Sequence, residues 1–309
     1  MHVLVTGSSG MIGSALVDAL AADGHRVTRL VRGPSAPGPV PDGVADVRWD
    51  PARGTIDDGA LGAAGPFDGV VHLAGAGVGD KRWSPGRKRA ILSSRTEGTA
   101  LLATTLAALP SPPPVLISSS AVGYYGDRGA DVLTEESPAG TGFLADVCVA
   151  WEGATAPASA AGIRTVLLRT GIVLSATGGA LAKQLPLFRL GVGGRVGSGR
   201  QYRSWITLDD QVAAILYCLG DDSLSGPVNA TGPNPATDAE LAKALGAALH
   251  RPSFLAVPAP ALKLVLGAEM ATEMVLSSQR VLPTRLTAAG FEFAHTELDE
   301  AVRSVLAGR

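Results

Sequence analysis

Only two cysteines occur in the 309 residues, Cys148 and Cys218, both within helical patterns and without metal-ligand spacing. Their scarcity excludes a disulfide-stapled secreted scaffold and a cysteine-based metal centre, and leaves two buried reduced thiols of a cytosolic protein. Excess charge is missing too. A formal net charge of -2 and a pI near 6.2 give no electrostatic reason to expect nucleic acid or anionic membrane as a partner. No basic and then apolar leader precedes the first strand pattern, so no export signal is expected. The most apolar late stretch, residues 254–266, is interrupted by Pro258, Pro260 and Lys263 and is too short to span a bilayer. Internal repeats, low-complexity tracts and long linkers are absent as well. The expectation is a cytoplasmic monomer or homodimer that holds no metal.

What is present is a core. At 46% hydrophobic and 17% charged residues, the chain is long enough for one large α/β domain and a smaller lobe. The β-branched run His2–Thr6 reads as a buried strand, followed by Gly7, Gly10 and Gly13 and then the helical pattern Ile12, Leu16, Ala19, Leu20. Strand, glycine turn and helix in that order form the context in which a glycine-rich loop points to a dinucleotide. Gly7 takes the tight turn, Gly10 lets the backbone approach a pyrophosphate, and Gly13 lets helix Met11–Ala22 pack close. The start of that helix, with Ser9, Met11 and Ile12 around it, offers N–H groups to phosphate.

The second strand, Arg26–Val31, ends at Arg32 where NAD-preferring folds place an acid. A guanidinium suits a 2′-phosphate, so the cofactor expected is NADP(H). Residues 33–43 read as a Pro/Gly-rich loop, and strand 44–49 ends at Asp50, which either meets the adenine edge or caps a turn. Strand 67–73 opens into Leu73-Ala-Gly75, whose small residues permit close approach of a ribose. His72 within it reads as a core histidine rather than a base. Lys81, Arg82, Arg87, Lys88 and Arg89 cluster before an expected helix 91–109 and read as its solvated face. Arg95 shares helical spacing with Thr99 and Leu102 on the apolar side, so it needs an anionic partner. Strand 115–118 ends in Ser118-Ser-Ser120 and Tyr124-Tyr-Gly126. A polar loop over 127–141, a helix over 142–161 and a strand over 163–169 follow, and Ile172 and Val173 leave that strand towards the same cleft. Later helices are expected over 238–249, 260–276 and 297–306. The alternation predicts a Rossmann-type, doubly wound parallel sheet, residues 1–174, with a smaller α/β substrate lobe, residues 175–309.

These stretches resemble the extended short-chain dehydrogenase/reductase superfamily, the fold of sugar-nucleotide epimerases and dehydratases. They are Thr6-Gly-Ser-Ser-Gly-Met-Ile-Gly13, His72-Leu-Ala-Gly75, Ser118-Ser-Ser120 with Tyr124-Tyr-Gly126, and Arg203-Ser-Trp-Ile-Thr-Leu-Asp-Asp210. More narrowly, Phe143-Leu144 through Trp151-Glu152, Arg169-Thr-Gly-Ile-Val-Leu174, Leu187-Phe-Arg-Leu-Gly-Val-Gly-Gly194, Gln279-Arg-Val-Leu-Pro283 and Gly290-Phe291 are similar to an atypical epimerase-like subfamily, sometimes described as cell-division inhibitors. The resemblance implies that Arg203 meets a substrate phosphate and that Arg95, in the pair Ser94-Arg95, touches NADP. It also exposes a departure. The superfamily's Tyr and Lys, four apart on one helix, fall here on Leu144 and Cys148, and no Tyr-x-x-x-Lys occurs anywhere in the chain. Ser119 or Ser120, which would polarise a carbonyl or hydroxyl oxygen, and Tyr124 or Tyr125 are left as catalytic candidates, with loop packing the other reading of the tyrosines. Asp146 reads as a surface residue. Two functions compete: an NADP-dependent oxidoreductase or epimerase acting on a small molecule that carries a phosphate or carboxylate, and a non-catalytic NADP-binding regulator or sensor.

Overall fold

Strand β1 (His2–Thr6) is buried along its whole length and sits near the middle of an eight-stranded sheet. A computed structural model describes residues 1–33 and 43–308, so most of the loop expected over 33–43 lies outside the described residues. After β1 come α1 (Met11–Ala22), β2 (Arg26–Val31), β3 (Val44–Asp50), β4 (Thr55–Ile56), α2 (Asp58–Ala64), β5 (Gly69–His72) and α3 (Pro85–Ala108). Next are β6 (Val115–Ala121), β7 (Val132–Leu133), α4 (Phe143–Gly153), α5 (Ala156–Ala160), β8 (Arg164–Thr170) and β9 (Ile172–Leu174). The remainder runs α6 (Gly179–Arg189), β10 (Gly194–Val196), β11 (Tyr202–Arg203), β12 (Trp205–Thr207), α7 (Leu208–Gly220), β13 (Gly226–Ala230), β14 (Ala236–Thr237) and α8 (Asp238–Leu249). It ends with β15 (Leu255–Val257), α9 (Ala259–Leu266), α10 (Ala268–Met270), a π-helical segment Ala271–Leu276, β16 (Arg280–Val281), α11 (Thr284–Ala288) and α12 (Leu298–Ala307).

The sheet order is β13-β8-β6-β5-β1-β2-β3-β4, parallel throughout except for β3 with β4. Order reverses on either side of β1, which puts the switch point, and the crevice that goes with it, between β1 and β5. Period-two alternation explains why both faces are covered. Val3 and Val5 pack with Leu16 and Leu20 of α1 and with Ile215 and Leu219 of α7, while Leu4 and Val70 pack with Leu102 and Leu106 of α3. A third cluster, including Leu185, Phe188, Leu245 and Val302, forms the core of the smaller lobe. The strand β13, from beyond residue 175, completes the edge of the main sheet beside β8.

Several boundaries differ from the sequence expectation for identifiable reasons. Helix α3 starts at Pro85, because the Ser84 hydroxyl accepts from the Arg87 amide and proline fits the first turn. Arg87, Lys88 and Arg89 therefore belong to the helix instead of preceding it. The helix expected over 142–161 is two helices, since Pro157 cannot continue the ladder of α4 and sits instead in the first turn of α5. Gly267, at φ 91°, breaks the helix expected over 260–276. Strand β6 extends to Ala121, its serines included, because pairing with β8 continues to Thr170. The polar loop over 127–141 holds β7, which pairs with β16.

His72 is fully buried and ties three elements together. Its Nδ1 lies 2.7 Å from Thr6 Oγ1 and its Nε2 lies 2.9 Å from Thr99 Oγ1, which also accepts from the Trp151 indole. Burial, with the Arg95 charge adding to it, pushes the imidazole down to about 4. The folded protein thus holds His72 neutral while the unfolded chain protonates it at 6.5, so the stabilisation is complete above pH 6.5 and is lost as pH falls towards 4. Unfolding free energies from denaturant titration are expected to fall across that window, by up to about 1.4 kcal/mol per pH unit from this residue. His72→Asn removes that part of the slope, and equal slopes in both proteins would show that folding leaves the protonation of His72 unchanged.

Candidate active site

The turn after β1 is built for close approach. Gly7 has φ 68°, and a Cβ there would lie 2.7 Å from the Leu73 carbonyl carbon. A Cβ on Gly13 would lie 2.2 Å from Gly7 O, so only glycine lets α1 start this close to the turn. Gly10 donates its N–H to Gly7 O and stands at the N-cap of α1 with no capping side chain and no acid in the first turn. The positive end of the helix is left for an anion. Ser9 is exposed, Met11 and Ile12 are half-buried, and Gly178 packs so tightly on Met11 that a Cβ would lie 2.8 Å from its sulfur. Arg32 is exposed at the end of β2. Asp50 caps a turn, accepting from the Ala52 amide at 3.1 Å.

Thr6 Oγ1 accepts from the Leu73 and Ala74 amides, so the small-residue segment after β5 is held against the glycine turn. One residue on, Gly75 gives room to Arg95, whose guanidinium carbon would lie 3.2 Å from a Cβ there. Arg95 is 9% exposed, stacks on the Trp151 ring at 4.8 Å and donates to Ala76 O and Ile91 O. Among the described residues no carboxylate pairs with it, and burial holds its pKa below the ordinary arginine value.

Arg95 leads from this cradle into a cavity of about 220 Å³ at the carboxyl ends of β6 and β8. Leu144 and Cys148, one turn apart on α4, stand on its wall with Trp151. Burial, with the nearby Glu152 charge adding to it, pushes the Cys148 thiol up to about 11, and its Sγ lies 3.7 Å from Ala121 O. Ile172 lies on the same wall, while Val173 is buried behind it. Arg203 also lines the cavity, donating from Nε to Asp238 Oδ1 at 3.1 Å and from Nη2 to Val275 O. The π-helical segment contributes Met274 and Glu273. The Glu273 carboxylate accepts from the Phe143 and Leu144 amides at 3.0 and 2.8 Å, so the last part of the chain caps the helix that carries Leu144 and Cys148.

The serine and tyrosine candidates lie behind this wall. Ser120 donates to Glu152 Oε1 at 2.6 Å, and Glu152 holds Arg169 through two bonds of 2.8 Å. Arg169 donates to the Tyr125 hydroxyl, which donates to Asn229 Oδ1 at 2.7 Å, and its guanidinium lies 3.4 Å from the Tyr124 ring centre. Ser118 is buried with an unpartnered hydroxyl, and Ser119 is half-buried. Neither Ser119, Ser120 nor Tyr124 stands on the cavity wall. Sequence reasoning assigned no role to Glu152, Arg169 or Glu273. The same signal that singled out Arg95, a guanidinium in an apolar stretch, also marks Arg169 in β8; nothing local marks Glu273, whose partner lies 130 residues away. Among the described residues, no cluster of acids, histidines or cysteines is placed to hold a metal, and no helix is long and apolar enough to cross a membrane.

The family model described as the NAD dependent epimerase/dehydratase family matches residues 3–229, and one described as a domain of unknown function (DUF1731) matches residues 257–305. An epimerase family protein of Mycobacterium tuberculosis is 45% identical over 300 residues, spanning 97% of this chain and 96% of the relative. The crystal structure of human epimerase family protein SDR39U1 (isoform 2) with NADPH is similar at a TM-score of 0.87 and 33% identity, over 100% of both chains. A nucleoside-diphosphate sugar epimerase from Corynebacterium glutamicum is similar at a TM-score of 0.79 and 37% identity, over 99% of this chain and 58% of that one.

The Glu152–Arg169 pair is 9% and 3% exposed at its side chains, so neutralising one member leaves the other charge buried without compensation. Glu152→Gln is expected to cost about 3–5 kcal/mol in denaturant unfolding. The apolar pair Glu152→Leu with Arg169→Met recovers most of that loss, and a single variant within about 1 kcal/mol of wild type would contradict the assignment.

Proposed function

The chain belongs to the NAD dependent epimerase/dehydratase family, and on that premise we propose that it binds NADP(H) and acts on a small-molecule substrate at the cavity beside Arg95. The supporting observation is the unbroken path from the glycine cradle, through Leu73, Ala74 and Gly75, to the Arg95 wall. The residues present fit the cofactor. A Cβ would fill the cradle at Gly7 and Gly13, the start of α1 is uncapped, and Arg95 is a buried cation without a carboxylate. Gly7, Ser9, Gly10, Met11, Ile12 and Gly13 would hold the pyrophosphate, and Arg32 the 2′-phosphate. Leu73, Ala74 and Gly75 would border the ribose, with Ser118, Ile172 and Val173 towards the nicotinamide. When bound, the cofactor supplies a hydride donor or acceptor. A similar human protein was crystallised with NADPH, which supports the choice of phosphate-bearing cofactor.

The chain's own residues then do an unusual share of positioning and little proton transfer. Leu144 carries no proton, and the Cys148 thiol stays protonated far above neutral pH, so α4 offers a shaped apolar wall where a proton shuttle would stand. Ser120, Glu152 and Arg169 fix β6, α4 and β8 relative to one another. That same wall supports a second reading, a protein whose NADP(H) state governs an interaction without turnover. Two buried free thiols support a reducing compartment, and we place the protein in the cytoplasm.

Fluorescence titration should show NADPH binding more tightly than NADH. Arg32→Glu should weaken NADPH by about tenfold or more, consistent with loss of one charge-assisted contact of about 1.5–3 kcal/mol, and should change NADH less. Gly13→Val should abolish binding of both. Tighter NADH than NADPH in the unaltered protein would remove the role given to Arg32. Consumption of NADPH with a substrate decides between the enzyme and the sensor.

A further inference from the structure

Resting on that cofactor reading, we infer that the cavity takes a compact, largely apolar carbonyl compound or its alcohol and excludes a nucleotide sugar. Size is the first argument. About 220 Å³ lies below the range of about 300–1,000 Å³ that drug-sized ligands occupy, and a nucleotide diphosphate joined to a sugar exceeds such ligands.

Chemistry is the second. Val78, Val122, Leu144, Val147, Trp151 and Met274 supply apolar wall. Several polar groups among them are already engaged by the protein. Ser204 donates to Gln279 O, Cys148 faces Ala121 O, and both oxygens of Glu273 accept amides of α4. The Tyr202 hydroxyl and the Gln279 side-chain amide line the cavity with no hydrogen bond among the described residues and offer a single ligand oxygen its partner. A sugar ring enclosed here would outnumber those two groups and leave most of its hydroxyls without partners, at about 1–3 kcal/mol each. An aliphatic or aromatic ring meets no such cost and gains the face of apolar side chains.

Charge is the third. A diphosphate needs cations, yet Arg203 is neutralised by Asp238 and further bound by Val275 O, and Arg95, the other arginine on the wall, is the cation that the cofactor reading gives to NADP(H). The adjoining cavity of about 150 Å³, into which a longer ligand would extend past Leu144 and Gly123, has Asp127 and Glu273 as its ionisable side chains. Two carboxylates there oppose a diphosphate. The C-terminal segment supplies Glu273 and Met274, so the region matched as a domain of unknown function sets this specificity by closing the cavity.

The test is ligand-observed saturation-transfer NMR on NADPH-saturated protein, with cyclohexanone, benzaldehyde and UDP-glucose as probes at equal concentration. The two apolar probes should give signals and UDP-glucose none. Cys148→Phe or Leu144→Phe, each narrowing the cavity and checked for folding by thermal melting, should weaken the apolar probes by about tenfold, the effect of about 1.4 kcal/mol. UDP-glucose binding to the loaded protein, silence from all three probes, or apolar probes that bind both folded variants unchanged would each overturn the inference. Failure of NADPH to bind the unaltered protein would instead overturn the cofactor reading, and the probes on the free protein would still test the cavity.

Discussion

A buried ion pair sets the geometry of this site. Arg169 projects, buried, from β8, the strand beside the edge strand β13, where an unpaired guanidinium is untenable, and Glu152 reaches it from the end of α4. Ser120, Tyr125 and Asn229 complete the bonding, so β6, β8, β13 and α4 converge on one charge. A low-dielectric interior makes each link stronger and each omission more costly. The position of α4, and with it the face carrying Leu144 and Cys148, follows from that convergence.

The cradle and the cavity obey different physics. At the cradle, affinity rests on what is missing: side chains at Gly7 and Gly13, and a cap on α1. The cavity is defined by side chains that fill space without exchanging protons. A superfamily known for moving protons between neighbouring hydroxyl and ammonium groups is represented here by a wall of leucine, tryptophan and protonated thiol. Of the three serines, Ser120 turns its hydroxyl to the buried Glu152 carboxylate, the stronger acceptor.

Local signals carried most of the fold. Helix Met11–Ala22 and strands His2–Thr6 and Arg26–Val31 stand where periodicity and turn residues put them. His72 is the core residue its surroundings suggested, and Asp50 accepts from the Ala52 amide in the turn it was expected to cap. What escaped was non-local. No window around residue 273 announces that its carboxylate will sit on the first turn of a helix 130 residues earlier, nor can a run of three serines show which hydroxyl faces a distant glutamate. Helix breaks at Pro157 and Gly267 fell inside patterns whose hydrophobic period continues across them. Most of the Pro/Gly-rich stretch beyond Arg32, residues 34–42, lies outside the described residues.

The clamp of Glu273 on α4 ties two parts of the chain into one thermodynamic unit. Gly142, at φ 110°, allows the carboxylate to come this near, since any Cβ there would crowd it at 3.1 Å. Positions 142 and 273 are therefore constrained as a pair: a side chain gained at one devalues the carboxylate at the other. By reciprocity, a molecule that fits the cavity better when the clamp is shut also tightens the clamp, and a force that prises the C-terminal segment loose lowers the affinity of the cavity by the same factor.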